Sequence, residues 1–160
     1  FQAIPKKGKL DLVVQKLTEL GAASIRLVVG ERSVPRWDAA KGNAHAARLG
    51  EVARQAAMQS RRAWLPSVLP PVPSSALELP SPCVVLDENA RTRLGDALPD
   101  DAPAVVGLVV GPEGGFTGDE LTAFRERGAI PVSLGPLILR TETAALAAAA
   151  VVLGRYGLLG

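Results

Sequence analysis

The chain is poor in the residues that most often carry side-chain chemistry. Its 160 residues hold one cysteine, one histidine, one methionine and one tyrosine. Cys83 alone allows no internal disulfide, and with His45 as the only imidazole a Cys/His zinc site is out of reach. A lone thiol fits a reducing, cytoplasmic compartment. Long apolar runs are missing too. None reaches the roughly eighteen residues a membrane span needs. The alanine-rich run from Ala144 to Leu153 is too short and is bounded by Arg140 and Arg155. No secretory signal is visible. Neither Gly-x-Gly-x-x-Gly nor a P-loop ending in Gly-Lys-Ser/Thr occurs, so the usual phosphate cradles are absent. No internal repeat appears.

What is present is an alternation of apolar runs and helical patterns. Leu10, Val13, Val14, Leu17 and Leu20 lie at helical spacing, with Asp11 as a cap and Gly21 as a stop. Ile25–Val29 reads as a strand. A loop with Arg32, Arg36 and Trp37 follows, the tryptophan read as packing rather than as a base-stacking surface. Residues 39–61 read as a long helix with Leu49, Val52, Ala53 and Ala56 on its apolar side, Met58 filling core and His45 at the surface. Residues 65–82 are dense in proline and are expected to be irregular, with one helical turn near Ala76–Leu79.

A strand at Cys83–Leu86 runs into Asp87-Glu88-Asn89, whose position at a strand end faces any pocket there. A helix is expected over Ala90–Leu98, and a strand buried on both faces over Ala104–Val110. Thr117 and Glu120 have capping-box spacing, Leu121 and Phe124 face the core, and Gly128 ends that helix. Ile130–Leu134 is the next strand, and Thr141 or Thr143 opens the last helix. The alternation and 48% apolar content predict one α/β domain with a mainly parallel sheet flanked by helices.

Two junctions stand out. Val109-Val110-Gly111-Pro112-Glu113-Gly114-Gly115-Phe116-Thr117 and Leu134-Gly135-Pro136-Leu137-Ile138-Leu139-Arg140-Thr141-Glu142-Thr143-Ala144 each lead from a strand into a helix. Open α/β sheets bind ligands outside the carboxyl ends of their strands. A plain strand-to-helix turn accounts for the glycines equally well. It does not account for Glu113 inside the turn, or for Arg140 and Glu142 flanking Thr141 beside an apolar surface.

Charge is distributed unevenly. Residues 1–62 hold 12 Lys+Arg against 5 Asp+Glu, and residues 63–160 hold 6 against 11. A basic half of this kind is a footprint for a polyanion, although solvated helix faces give the same composition. The positions that suit RNA phosphates are Lys6, Lys9, Arg32, Arg61 and Arg62.

The two junctions, in this order and spacing, resemble the bacterial ribosomal RNA uridine-N3 methyltransferases of the SPOUT, or trefoil-knot, class. Lys16-Leu17-Thr18-Glu19-Leu20-Gly21 and Gln59-Ser60-Arg61-Arg62 with Pro66 extend the likeness over nearly the whole chain. The resemblance implies a C-terminal trefoil knot in which residues 134–144 are tucked through an earlier loop, a homodimer, and transfer of a methyl group from S-adenosylmethionine to N3 of a uridine in 16S ribosomal RNA. It also implies a small RNA-binding barrel domain upstream. That domain is expected outside these residues, since the chain opens on Phe1.

On this reading the cofactor is held by Gly111, Pro112, Glu113, Gly114 and Gly115, by Leu134, Gly135, Ile138 and Leu139, and by Leu86 and Ala144 as apolar contacts. A sulfonium is already a strong electrophile, so no metal is needed. N3 of uracil must lose a proton, which calls for a base and for a cation beside the developing charge. Glu142 is the candidate base or its orienter, and Arg140 the candidate cation. Two other classes stay open on residues alone: a nucleotide-dependent α/β enzyme, and a non-catalytic RNA-binding module.

Overall fold

The computed structural model describes residues 1–6, 9–34 and 37–159. Lys7 and Arg36, two cations of the basic half, lie outside the described residues. Strands β1 (Gln2–Ala3), β2 (Ser24–Val29) and β3 (Ser67–Pro73) form one parallel sheet in that order. Strands β4 (Cys83–Leu86), β5 (Gly107–Val109) and β6 (Ala129–Val132) form a second, in the order β5-β4-β6 and again parallel. A parallel bridge between Gln2 and Val110 joins them. The Ala3 amide donates to the Val110 carbonyl and the Val110 amide donates to the Phe1 carbonyl. The hydrogen-bonded path therefore runs β3-β2-β1-β5-β4-β6. The expected parallel α/β architecture is present.

Helices cover this surface: α1 (Leu10–Glu19), α2 (Ala39–Gln59), α3 (Leu94–Ala97), α4 (Gly118–Glu126) and α5 (Thr141–Arg155). α1 and α2 pack on each other, burying Leu10, Val14, Leu49 and Ala53 with Ile25 and Leu27 of β2. Trp37 lies partly buried against this cluster and stacks on His45, with ring centroids 3.9 Å apart, so the packing reading holds. α4 carries the expected capping box at Thr117 and Glu120. Its Phe124 is fully buried, in edge contact with Phe116 at 4.9 Å between centroids.

Several expectations need correction. Asp11 does not cap α1, because Lys9 occupies the N-cap position. Asp11 instead accepts two hydrogen bonds from Arg48, at 2.6 and 2.7 Å, tying α1 to α2. Met58 is 66% exposed, because its neighbour Ala57 takes the inward position on α2. The proline-rich stretch contains β3, with Pro70, Pro71 and Pro73 inside it. Proline lacks the ladder donor and is tolerated on an edge, which is where β3 lies, beside a register irregularity between Arg26 and Val28. The following 3-10 turn spans Ser74–Ala76.

α3 is a single turn. Its leading residues are held extended by the Arg93–Ser133 bridge and by the Ser133 amide donating to the Thr92 carbonyl. β5 starts only at Gly107, and Val105 before it is half exposed.

Candidate functional site

Three loops at the carboxyl ends of β4, β5 and β6 close on one cavity of about 520 Å³. Residues 87–89 follow β4, whose last residue is Leu86, residues 110–116 follow β5, and residues 134–141 run from β6 into α5. All eleven residues expected to hold a cofactor line it: Leu86, the run Gly111 to Gly115, Leu134, Gly135, Ile138, Leu139 and Ala144. Arg140 lines it as well, as do Asp87, Glu88 and Asn89 at the end of β4.

The two long loops are fastened to each other by Thr141. Its hydroxyl donates to the Gly111 carbonyl at 2.6 Å and accepts from Gln2 Nε2 at 3.2 Å. Thr141 and Gln2 are buried, so this link joins the start of α5, the glycine turn and β1 in one place. Gly115 has φ +65°, a left-handed conformation that strains a side-chain-bearing residue, and its amide closes the turn onto the Pro112 carbonyl. Arg32 donates to the Gly114 carbonyl at 2.7 Å and braces the turn at the border of the cavity.

Behind the turn sits Glu120, 6% exposed. Its carboxylate accepts from the Glu31 amide at 3.0 Å, the Ser74 hydroxyl at 2.7 Å and the Thr117 amide at 2.9 Å. The sequence showed only its capping partner. The bonds to Glu31 and Ser74 have no local signature, because they join segments 89 and 46 positions apart.

The cavity suits a ligand with one apolar plane and several polar edges. Leu86, Val110, Leu139 and Ala144 supply an apolar wall. Among the described residues, the amides of Gly114, Leu134, Ile138 and Leu139 make no hydrogen bond to the protein. A pocket with free backbone donors beside apolar side chains matches a heteroaromatic ring such as adenine.

A family model described as "RNA methyltransferase domain" matches residues 1–153. The chain belongs to this RNA methyltransferase family. It is 39% identical to ribosomal RNA small subunit methyltransferase E of Mycobacterium tuberculosis, over 99% of this chain and 62% of that protein. The protein of the same name from Bacillus subtilis is 35% identical, over 89% of this chain and 60% of the relative. The chain thus spans about three-fifths of the curated relatives it matches. Among solved structures, a methyltransferase from Legionella pneumophila in complex with the bound cofactor SAM superposes with TM-score 0.87 at 32% identity, covering 96% of this chain and 64% of that one. Ribosomal RNA small subunit methyltransferase E from Neisseria gonorrhoeae, bound to S-adenosyl methionine, gives 0.85 at 35%, covering 96% and 63%.

For an RNA methyltransferase domain, the charged candidates divide sharply. Glu142 does not line the cavity. Its carboxylate takes a hydrogen bond from Lys9 Nζ, and this bond above all holds it below the ordinary carboxylate value of 4.5. Arg140 is exposed and makes no side-chain bond among the described residues. The Lys6 amide donates to Glu113 Oε1 at 2.9 Å, which docks the lead-in segment on the glycine turn.

Of the expected RNA contacts, Lys9 is thus engaged by Glu142 and Arg32 by the turn. Arg62 donates to the carbonyls of Thr18 and Ala22, each at 2.9 Å, and to that of Gly21 at 3.3 Å. Lys16, Arg48 and Arg54 are paired with Glu19, Asp11 and Glu51. Much of the basic half therefore serves internal bonds. Lys6, Lys41 and Arg61 keep exposed side chains that make no such bond among the described residues. No cluster of metal-ligating side chains occurs among the described residues.

Proposed function

We propose that the protein to which this chain belongs transfers the methyl group of S-adenosylmethionine to ring nitrogen N3 of a uridine in 16S ribosomal RNA, and that this domain supplies the cofactor pocket. The observation that carries the reading is the convergence of the three strand-end loops on one cavity lined by all eleven expected residues. The likeness to two methyltransferases solved with that cofactor supports it. The RNA target rests on the named relatives, and the uridine-N3 specificity on the loop resemblance.

When bound, S-adenosylmethionine supplies an activated methyl group. The residues of this chain do the rest. Leu86, Leu139 and Ala144 exclude water from the adenine, while the loop amides read its edge. The target base is taken out of its helix, since pairing occupies N3. Arg140 steadies the negative charge that spreads onto the uracil oxygens as N3 loses its proton. Glu142, anchored by Lys9 and held ionised, is a weak proton acceptor, so its place in this reading is to orient the start of α5 and with it Arg140. The reading includes the trefoil threading of residues 134–144. It also includes a homodimer, with which the small side chains of the alanine-rich α5 are compatible.

Calorimetry with S-adenosylhomocysteine tests the pocket: folded protein that binds none sinks the assignment. Mass-spectrometric mapping of methylated nucleotides in ribosomal RNA from cells lacking the protein tests the target. Loss of one N3-methyluridine is expected, and an unchanged map refutes the target. Arg140→Ala is expected to bind cofactor normally and to lose methylation by roughly a hundredfold, the scale of one stabilising charge.

A further inference from the structure

The end of α2 carries a local contradiction. The Arg62 amide donates to the Ala57 carbonyl at 2.9 Å and the Arg61 amide to the Met58 carbonyl at 3.3 Å. This pair of bonds is the Schellman ending, which places residue 61 in the left-handed region, at φ +56°. Glycine is the residue that fits there without strain. The chain instead places an arginine, and its side chain is exposed with no partner among the described residues. It gains nothing for the fold that glycine would not give.

Three residues on, Trp64 is 67% exposed. Tryptophan is usually well covered, as Trp37 is here. The Trp64 ring is nonetheless held in place. The Arg62 guanidinium lies 5.9 Å from its centroid, and that guanidinium is fixed by the carbonyls of Thr18, Gly21 and Ala22. One ring face is thus propped from beneath by an immobilised cation, while most of the ring stays open to solvent.

We infer that Arg61 and Trp64 form a docking site for single-stranded RNA, in which a base stacks on the Trp64 ring and a neighbouring phosphate meets Arg61. Aromatic platforms beside cations are how unpaired bases are gripped without sequence preference. The site stands at the edge of the sheet opposite the cavity, because the next strand residue, Ser67, pairs with Ser24 at the start of β2. It therefore holds RNA at a distance from the reacting base and acts on binding rather than on chemistry. The inference rests on the RNA-methylating reading.

The test uses a short single-stranded oligouridylate and three variants. Trp37→Phe leaves Trp64 as the only tryptophan, and its fluorescence should be quenched as the oligonucleotide is added. Trp64→Ala should weaken binding by about five- to a hundredfold. Arg61→Gly should move two readouts in opposite directions. Relief of the left-handed arginine should raise the melting temperature by about 2–4 °C. Loss of one phosphate contact should weaken RNA binding and reduce the magnitude of its log–log salt slope by about 0.7. Affinity for S-adenosylhomocysteine should stay unchanged in all three.

Unaltered RNA affinity in Trp64→Ala, or unquenched Trp64 fluorescence while RNA binds, would overturn the docking site and leave the methylation reading standing. Wild-type protein that binds S-adenosylhomocysteine but no RNA would overturn the docking site and leave the cofactor pocket standing. A Trp64→Ala variant that changes only the oligomeric state by light scattering would identify a protein contact and overturn the RNA site.

Discussion

Glu120→Gln isolates what holds the glycine turn in shape. The substitution keeps the side chain's length and volume, so no cavity opens behind Phe116 and Phe124. It replaces one carboxylate oxygen by an NH2 group. Both oxygens are occupied, one by the Glu31 amide and the Ser74 hydroxyl, the other by the Thr117 amide. Two of these donors are backbone N–H groups, which cannot turn round to accept. Whichever way the amide is set, its NH2 therefore faces an N–H, and one partly buried backbone donor is left without a partner. Hydrogen bonds to charged groups contribute about 1.5–3 kcal/mol each, and an orphaned buried donor costs about 1–3 kcal/mol. The ionic character of the remaining bonds is lost as well. A net loss of about 2–4 kcal/mol is expected in urea unfolding. Because Thr117 and Glu31 bracket the turn and its Arg32 brace, the affinity for S-adenosylhomocysteine should fall at least several-fold in protein that is still folded. Glu120→Gln with wild-type stability and wild-type affinity would show that the three short bonds do not fix the turn.

Thr141→Val removes the hydroxyl that joins the two long loops, leaving the Gly111 carbonyl and Gln2 Nε2 short of a partner. It should cost about 2–3 kcal/mol in denaturant unfolding and weaken cofactor binding by calorimetry. Gly107→Ala would set a Cβ 2.7 Å from Cys83 Sγ and 2.8 Å from Pro80 Cγ. The overpacking outweighs the entropy gained from losing a glycine, so a net loss of about 1–2 kcal/mol is expected, seen as a lower melting temperature. Lys9→Met tests the pair with Glu142 through pH. The folded-state pKa of Glu142 is depressed below 4.5, so the pair's contribution is present above pH 4.5 and is lost as pH falls through the folded value. The stability gap between wild type and Lys9→Met should be constant from pH 7 to 5 and close below about 4.5. A gap that widens on acidification would contradict this.

The elements that sequence reading located well are those whose signal is local. α1 and α2 have apolar positions at helical spacing, and the capping box at Thr117 and Glu120 needs only four consecutive residues. The pocket loops were legible for the same reason, each being one contiguous run. β3 was not, because proline argues against a strand unless the strand is known to lie at an edge, and edge position is a property of the whole sheet. The apolar run before Val110 looked like a long buried strand. Its first residues instead line a shallow groove with the end of α5, and nothing in a run of apolar residues separates ladder from groove.

Charge was the least legible feature, and the reason bears on function. The basic half counts twelve cations, yet the structure ties Lys9, Lys16, Arg32, Arg48, Arg54 and Arg62 to carboxylates or carbonyls within the fold. A cation already satisfied in this way contributes to the long-range field but has fewer donors left for a phosphate. Net charge therefore overstates the surface proposed to meet RNA, and the cations left unpaired among the described residues define it better. The distinction has a measurable consequence. If all twelve cations met phosphates, the log–log salt slope for single-stranded RNA would be about −8. If only Lys6, Lys41, Arg61 and the pocket's Arg140 do so, it is about −3. Titration of RNA binding against potassium chloride separates the two, and a slope near the larger value would mean that the internal ion pairs open when RNA arrives.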